Sequence, residues 1–495
     1  MSLEAFLRIL FVTPELAPFA RTGGLGDVTS ALPKALAALG HDVHIVMPYY
    51  QIIHERKDAL SLVLQEVYVP LNIRAQTARV WHTSGHLHAA SNVLVYFIEQ
   101  DNYFGRPALY GNEGGDYGDN AERYAFFCRA VLSLLRDLDW VPDIIHCHDW
   151  QTGLLPAYVR WLPGLHPHLY TIPTVFTIHN LAYRGIFPAE ALSVTGLPGS
   201  LFHPDGIEFY GQLCLMKAGL FFADYLTTVS PTYAEEICTP EFGEGLDGVL
   251  NLRRAALSGI LNGIDDEVWN PETDTAIAAR YSMSNLSGKA ACKTALLNMF
   301  GLSDEPSRPL MGIISRLVEQ KGIDLLAQAL DALLNLDFCL VILGTGDLRY
   351  QDFLAAQARR HPDRIGVSFE FNDTLAHQIE AGSDCFLMPS RYEPCGLNQM
   401  YSLRYGTIPI VRATGGLRDT VVPYRVANGE GTGFVFQDAT AEALIESVQE
   451  MRSVFKDHIA WHQLMCNAMV QDFSWTQSAY SYLSLYQQAV EGRQS

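Results

Sequence analysis

The fold follows from three consecutive stretches near the amino end: RILFVTPE (Arg8–Glu15), RTGGLGDV (Arg21–Val28) and TSALPKALAALG (Thr29–Gly40). The first is an apolar run that stops at a proline and a carboxylate, which is typical of a buried strand. The third repeats apolar residues at a spacing near 3.6 and ends at glycine, which predicts a helix. A strand followed by a glycine turn and a helix is the repeating unit of a doubly wound α/β sheet.

This alternation of apolar strand and helix occurs in two series along the chain. The first series continues with DVHIVMP (Asp42–Pro48), NVLVYFIE (Asn92–Glu99), DIIHCHDW (Asp143–Trp150) and TVFTIHN (Thr174–Asn180). The second comprises LMGIISR (Leu310–Arg316), FCLVILGTG (Phe338–Gly346), IGVSFEF (Ile365–Phe371), DCFLMPS (Asp384–Ser390) and TIPIVRA (Thr407–Ala413). We therefore expect two Rossmann-like domains, at 1–262 and 263–474, separated by the polar, Gly- and Pro-containing stretch that starts at Ile260.

The composition describes a globular chain and restricts its partners. Of the 495 residues, 48% are hydrophobic and 18% charged, and the net charge is −20. Such a surface repels nucleic acid and anionic membranes and suits a neutral partner such as a polysaccharide. No apolar run reaches the ~18 residues of a membrane span, and the amino end does not read as a signal peptide. We expect no nucleic-acid or membrane partner and a cytoplasmic location, or a plastid-like compartment in a photosynthetic eukaryote. The sequence does not determine whether the protein is a monomer or an oligomer.

The pattern Thr-Gly-Gly-Leu-x-Asp occurs twice, first in RTGGLGDV and again in TGGLRDTV (Thr414–Val421). A glycine pair alone indicates only a tight turn. Between a parallel strand and a helix, however, glycine lets backbone N–H groups approach a bound anion. Two such turns, one in each domain, predict that a diphosphate, or the sugar bonded to it, is held between the domains.

Charged and polar residues follow several of the same strands. Arg316 ends LMGIISR and Lys321 follows it, so this pair is placed to neutralise a diphosphate, with two solvated surface cations as the alternative. Glu393 follows DCFLMPS and is placed to accept from sugar hydroxyls or, alternatively, to cap a helix. His179 and Asn180 follow TVFTI, where a hydrogen-bonded core histidine is the alternative.

Two further patterns in the sequence are too incomplete to predict a site. HCHD (His146–Asp149) offers two histidines on one face of a strand but no third ligand, so no metal site is expected. GTG (Gly344–Gly346) lacks the third glycine of a dinucleotide fingerprint, and no P-loop pattern occurs in the sequence. Neither a metal, nor a dinucleotide, nor P-loop phosphoryl transfer is therefore predicted.

Seven motifs occur in one order from Arg21 to Val421: RTGGLGDV, HCHDWQTG, TIHNLAYRG, LNGID, ISRLVEQKG, PSRYEPCGLNQMY and TGGLRDTV. With these motifs, and with a tail of the form FSW-x-x-x-A-x-x-Y-x-x-LY, the sequence resembles the bacterial glycogen synthase and plant starch synthase family. The resemblance implies a GT-B fold, in which two Rossmann-like domains face a deep cleft and the last helix (475–495) returns to the N-terminal domain. It also implies transfer of glucose from ADP-glucose to the non-reducing end of an α-1,4-glucan, with retention and with neither a metal nor another cofactor.

The resemblance assigns roles to individual positions. The residues implied in catalysis are His179 at the reaction centre, Arg316 and Lys321 on the diphosphate, and Glu393 on the glucose. Those implied in holding the glucose or capping the diphosphate with backbone N–H groups are Cys395, Gly396, Leu397, Thr414, Gly415, Gly416 and Leu417. Those implied in further donor or acceptor contacts are Arg21, Gly23, Gly24, Asp27, Asp149, Asn180, Asn262 and, against adenine, Phe371.

The sequence departs from the family pattern at two positions. Arg21 stands where the family usually has Lys, which replaces a point charge by a planar fork and puts the fit of donor or acceptor in doubt. Gln151 stands where the family often has His, so a hydrogen-bonding group is kept and a titratable group is lost. Neither change touches the pair of cations at Arg316 and Lys321.

Alternatives to this function remain open on the sequence. UDP-glucose in place of ADP-glucose is a rival donor within the same class. Phosphorolysis on the same fold would need a lysine for a pyridoxal phosphate Schiff base, and no matching context is present. A non-catalytic glucan-binding homologue is disfavoured by Arg316, Lys321 and Glu393.

Overall fold

The computed structural model describes residues 6–71, 74–83, 93–112, 115–162, 169–305 and 307–494. Its contacts divide the chain into two compact units. Unit 1 comprises Met1–Val229, Ala234–Gly263 and Trp475–Ser495, and unit 2 comprises Ser230–Tyr233 and Ile264–Ser474.

The secondary structure alternates between strands and helices along both units. The strands are β1 (Arg8–Val12), β2 (Asp42–Pro48), β3 (Leu60–Leu71), β4 (Arg74–Thr83), β5 (Val93–Glu99), β6 (Gly111–Asn112), β7 (Gly115–Asp116), β8 (Ile144–His148), β9 (Thr174–Ile178), β10 (Ile186–Pro188), β11 (Glu208–Phe209), β12 (Gln212–Cys214), β13 (Tyr225–Thr228), β14 (Leu257–Gly259), β15 (Leu310–Ile314), β16 (Cys339–Leu343), β17 (Ile365–Ser368), β18 (Cys385–Met388), β19 (Ile408–Arg412) and β20 (Phe434–Phe436). The helices are α1 (Gly24–Ala38), α2 (Asp101–Phe104), α3 (Asn120–Asp137), α4 (Leu154–Trp161), α5 (Leu192–Thr195), α6 (Leu215–Phe222), α7 (Pro231–Glu236), α8 (Asp247–Leu252), α9 (Ser287–Phe300), α10 (Ile323–Leu334), α11 (Leu348–Arg360), α12 (Asp373–Gly382), α13 (Asn398–Arg404), α14 (Gly415–Thr420), α15 (Ala441–Phe455), α16 (His458–Met469) and α17 (Trp475–Gln494).

Unit 1 contains a nine-stranded sheet in the order β14-β13-β9-β8-β1-β2-β5-β4-β3. The strands from β14 to β5 pair in parallel, whereas β4 and β3 add an antiparallel edge. The central strands β8 and β9 are buried along their whole length, as continuous apolar strands covered on both faces should be. Sheet order reverses between β1 and β8, so this unit has its topological switch point there.

Unit 2 contains a six-stranded parallel sheet in the order β17-β16-β15-β18-β19-β20. Its two faces belong to two different apolar clusters. Along β16, for example, Leu340 and Ile342 lie in one cluster, and Val341 and Leu343 lie in the other. The sheet is therefore covered on both faces, and its order reverses between β15 and β18.

These two sheets confirm the predicted fold class, since all ten apolar stretches form strands within the expected bounds. The antiparallel pair β3 and β4 was not predicted. Only Leu60, Val67, Val69 and Leu71 of β3 are buried, so this strand lacks the continuous apolar run used to find the parallel strands. Among the described residues, no helix combines the length and the apolar character that crossing a membrane requires.

Helix α1 begins at Gly24, five residues before the predicted start at Thr29. The first Thr-Gly-Gly-Leu motif is therefore the amino end of this helix, and the segment 13–23 separates it from β1. The second motif follows β19 directly and begins α14. The two copies thus differ in how far along the chain they lie from the preceding strand.

Candidate active site

The predicted site residues fall into two groups, one in each unit, and each group includes residues that follow strands next to a switch point. In unit 1, the segments that follow β1 and β8 carry Arg21 and Asp149. In unit 2, the segments that follow β15 and β18 carry Arg316 and Glu393. The carboxyl ends of strands beside a switch point are where doubly wound sheets bind ligands, so the topology agrees with the choice of residues.

Glu15 organises the glycine turn of unit 1, and the sequence analysis did not assign it a role. Its carboxylate is buried and accepts from the N–H of Thr22 at 2.6 Å, from the Thr22 hydroxyl at 2.7 Å and from the Tyr110 hydroxyl at 2.6 Å. Three donors compensate the burial of this charge. The available signal was its position shortly after a strand, the same signal that singled out Glu393 and His179.

The first glycine motif is open to solvent. Arg21 pairs with Asp27 at 2.8 Å, and both side chains are partly exposed. Gly23 has extended backbone dihedrals that any residue adopts, and a Cβ there would meet no atom within 4 Å. The fold therefore does not itself require glycine at this position. Glycine would be required there by a ligand that approaches the backbone at the start of α1.

Asp149 is held in an unusual conformation directly after β8. Its φ of 56° and ψ of 179° lie in a region that is essentially restricted to glycine. The buried carboxylate accepts the backbone N–H of His179 at 2.8 Å. Burial raises the pKa of Asp149 to about 7. Backbone strain and a shifted carboxyl pKa at a strand end are both typical of functional positions.

His179 and its neighbours have different surroundings. The Nε2 of His179 lies 3.0 Å from Nδ1 of His148, and burial lowers the pKa of His179 to about 3, so its ring is neutral. Asn180 accepts from the N–H of Ala182 at 3.0 Å, which is a local turn contact. Asn262 is buried, and its Oδ1 has no hydrogen-bond partner within the described residues. An unpartnered buried oxygen suits a ligand-binding role at Asn262.

In unit 2, Lys321 and Glu393 form one buried ion pair. The ammonium of Lys321 lies 2.6 Å from Oε2 of Glu393, and the Ser390 hydroxyl donates to the same oxygen at 3.0 Å. The side chain of Glu393 is 7% exposed and that of Lys321 is 19% exposed. The family resemblance implies that these residues bind different parts of a ligand, and the structure brings them into contact. Arg316, which is exposed, donates to Gln320 at 3.0 Å.

The second glycine motif is packed inside unit 2, unlike the first. The N–H of Gly416 bonds to the carbonyls of Glu393 and Pro394, both at 3.2 Å, and the N–H of Leu417 bonds to Thr414 at 3.1 Å. The hydrogens of these two amides thus bond within the unit, and the expectation that they cap a diphosphate stays a prediction. The side chain of Leu417 is fully buried in the core, which gives it a packing role.

The glycines of this motif are required by close packing. A Cβ on Gly415 would overlap the carbonyl oxygen of Glu393, and a Cβ on Gly416 would overlap that of Cys395. Gly415 also has a positive φ of 43°. The motif therefore packs directly against the loop 393–396. Its part in binding a ligand stays a prediction.

The loop 393–396 is also fixed by a residue that the sequence analysis overlooked. The fully buried amide of Gln399 donates to the carbonyls of Cys395 and Gly396, at 3.1 and 2.9 Å. Leu397 precedes the first residue of α13, and Cys395 is buried. Phe371, in contrast, lies after β17 with 81% of its surface exposed, where a flat ligand has room to stack.

Sequence profiles of two glycosyltransferase families match the chain. The profile described as the starch synthase catalytic domain matches residues 8–252, and the profile described as glycosyl transferases group 1 matches residues 299–456. The two matched regions are therefore those of a glycosyltransferase.

Full-length relatives identify the family. A glycogen synthase of Anaeromyxobacter dehalogenans is 49% identical over 98% of this chain and 100% of its own length, and glycogen synthase 2 of Geobacter sulfurreducens is 47% identical with the same coverage. The catalytic domain of starch synthase IV from Arabidopsis thaliana, solved with ADP and acarbose, superposes with a TM-score of 0.88 at 34% identity, over 98% of this chain and 100% of that chain. The chain belongs to the glycogen and starch synthase family, and is an enzyme of that class with the predicted GT-B fold.

A more distant structure shows how far the fold extends. Sucrose-phosphate synthase from Thermosynechococcus elongatus superposes with a TM-score of 0.60 at 17% identity, over 98% of this chain and 100% of that chain. At this identity the similarity concerns the fold alone.

Proposed function

We propose that this enzyme transfers glucose from ADP-glucose to the non-reducing end of an α-1,4-glucan in the cytoplasm, with retention of the α configuration and without a metal ion. The observation that carries the proposal is the buried Lys321–Glu393 pair at the switch point of unit 2. The starch synthase IV structure, which is described as bound to ADP and acarbose, supports a donor of the ADP type.

The ion pair leaves binding capacity for both parts of a nucleotide sugar. Only one of the three ammonium hydrogens of Lys321 is needed by Glu393, so two are available for phosphate oxygens. Oε2 of Glu393 receives both Lys321 and Ser390, so Oε1 is available to accept from a sugar hydroxyl. Arg316 adds a second cation on the same segment after β15 that carries Lys321.

This arrangement acts on the charges that glycosyl transfer generates. The leaving diphosphate gains negative charge, while the sugar carbon becomes cationic. Lys321 and Arg316 stabilise the leaving group, and one such pre-placed group is worth about 3 kcal/mol, or roughly 10²-fold in rate. His179 and Asp149 keep the roles predicted for them, in contact with the glucose.

Retention constrains the direction of attack. We propose that the glucan hydroxyl attacks from the same face that the diphosphate leaves and that the departing phosphate oxygen takes its proton. The bond from C1 to the glucan oxygen forms as the bond from C1 to the phosphate oxygen breaks. Isolation of a covalent glucosyl-enzyme during turnover would contradict this step.

The decisive experiment is turnover with ADP-glucose and UDP-glucose on a glycogen primer, with and without EDTA. We expect faster turnover with ADP-glucose, no loss in EDTA, and a loss of about 10²-fold or more in Lys321→Ala with glucan binding retained. A matched control is Lys293→Ala, because Lys293 forms a similarly buried pair with Asp384 at 2.7 Å in the same unit.

The outcomes separate the alternatives. Equal loss of turnover in both lysine variants would show that unit 2 is merely destabilised, and wild-type turnover in Lys321→Ala would refute the role of Lys321. Preference for UDP-glucose would correct the donor. Glucan binding without transfer of either sugar would indicate a non-catalytic homologue.

A further inference from the structure

Two buried histidines on β8 have no role in the proposed reaction so far. His146 and His148 are separated by one residue, point to the same face of the strand, and their ring centres lie 4.1 Å apart. The described residues contain no group of three or more His, Cys, Asp or Glu side chains placed to hold a metal ion. These rings therefore need an explanation in terms of hydrogen bonding.

The ring of His148 is fixed in place. It is fully buried, stacks on Phe11 with centres 5.3 Å apart and planes 14° apart, and lies against His146. His146 is itself held at both nitrogens, by the hydroxyl of Tyr486 at 2.7 Å and that of Thr177 at 2.6 Å. His148 thus has little freedom to turn its ring.

The two nitrogens of His148 have unequal surroundings. Nδ1 lies 3.0 Å from Nε2 of His179, on the neighbouring strand end. Nε2 of His148 is buried and has no hydrogen-bond partner within the described residues. Burial lowers the pKa of both histidines far below neutrality, so each ring carries a single N–H.

Only one of the two possible proton arrangements satisfies the buried donors. If His179 donated from Nε2, the single proton of His148 would lie on its own Nε2 as an orphaned buried N–H. If His148 donates from Nδ1, its Nε2 carries only a lone pair. Unpaired buried N–H groups are rarer in proteins than under-satisfied acceptors, so the second arrangement is favoured.

We propose that His148 is a positioning residue that fixes His179 with its proton on Nδ1, so that His179 offers a hydrogen-bond donor to an oxygen of the transferred sugar. The inference rests on the proposed contact between His179 and the glucose. The bond made by one imidazole nitrogen sets the protonation of the other, which is how a buried neighbour acts on a ring that touches substrate. His179 is only partly buried, and its Nδ1 makes no hydrogen bond within the described residues.

The direct test is the tautomer of His179 in the full-length enzyme. Long-range ¹H–¹⁵N spectra of protein labelled at histidine distinguish a protonated from a bare ring nitrogen, and the His179 signals are those missing from a His179→Gln variant. We expect protonated Nδ1 and bare Nε2 in the wild type. A proton on Nε2 of wild-type His179 would overturn the inference.

Substitutions of His148 test its consequence for the reaction. Asn places an amide near the position of Nδ1, Gln places it near Nε2, and Phe keeps the ring without a donor. We expect kcat/KM for the donor to fall about 10- to 100-fold in His148→Phe and His148→Gln and to stay within a few-fold in His148→Asn. Equal losses in all three variants, with unchanged His179 signals, would overturn the positioning role.

The same data separate this inference from the proposed function. Full turnover in His179→Gln would refute the contact of His179 with the sugar, whatever the tautomer. A proton on Nε2 of His179 in an enzyme that still transfers glucose would refute the role of His148 alone.

Discussion

Replacement of Asp149 by Asn is expected to change how the stability of unit 1 depends on pH. The amide keeps the oxygen that accepts the His179 N–H at 2.8 Å, and it removes the titrating proton. Burial raises the pKa of Asp149 from 3.8 to about 7 in the folded protein. A carboxyl with a raised pKa contributes stability that is complete below pH 3.8 and is lost as the pH rises through 7.

The magnitude follows from this window. About two pH units of this window lie between pH 5 and pH 7. Each of them changes the free energy of unfolding by about 1.4 kcal/mol. The wild type is therefore expected to lose about 3 kcal/mol relative to Asp149→Asn between pH 5 and pH 8. For a domain of this size, that difference shifts the midpoint of thermal unfolding by roughly 6 °C or more.

The assay is thermal unfolding of both proteins at several pH values from 5 to 8, read as the difference between their midpoints. Asp224→Asn serves as a control in the same unit. Burial alone would raise the pKa of Asp224, but the hydrogen bonds and charges of Arg493 and Arg160 lower it overall, so this variant should be destabilised by the same amount throughout the range. A midpoint difference for Asp149→Asn that stays constant with pH would refute the argument from burial.

Three further predictions concern the glycine motifs, the core of unit 2 and the exposed aromatic side chain. Gly416→Ala should destabilise unit 2 and abolish turnover, because its Cβ overlaps the Cys395 carbonyl. Gly23→Ala should fold normally and affect only donor kinetics, because a Cβ there meets no atom within 4 Å. Expression level, thermal unfolding and kcat/KM of the two variants test this difference. Burial raises the pKa of Glu380 from 4.5 to about 8, so the wild type loses stability as the pH rises from 5 to 8. The free energy of unfolding of Glu380→Gln, measured by urea titration at both pH values, should therefore rise relative to that of the wild type. Phe371→Ala should raise the KM for ADP-glucose about tenfold with kcat kept, if the 81% exposed ring stacks on the base; an unchanged KM would remove this residue from the donor site.

The sequence was sufficient to locate the strand ends that carry the site. Arg316, Glu393 and His179 were found because each follows a continuous apolar run, and such a run is a local property of the chain. The topology then places the ends that carry Arg316 and Glu393 beside a switch point, where doubly wound sheets bind ligands. Local patterns therefore predicted both the fold class and the neighbourhood of the site.

What the sequence did not supply are contacts between segments that are distant in the chain. Lys321 and Glu393 are 72 residues apart, and their pairing depends on the adjacency of β15 and β18. His148 reaches His179 only because β8 pairs with β9. The two glycine motifs have similar sequences, yet the first is exposed and the second packs against the loop 393–396. Their packing differs because it depends on neighbours that only the tertiary structure brings together.

Helix α17 has a consequence for the order in which the enzyme can be completed during translation. Its Tyr486 bonds to His146, its Ser478 donates to the carbonyl of Leu261 at 2.6 Å, and its Arg493 pairs with Asp224 at 2.9 Å. The first half of the polypeptide therefore emerges from the ribosome without its last structural piece. At about 5–20 residues per second, the segment 264–474 takes on the order of 10–40 s to synthesise. During that interval, the nascent amino-terminal half lacks the contacts that α17 makes with it in the finished enzyme.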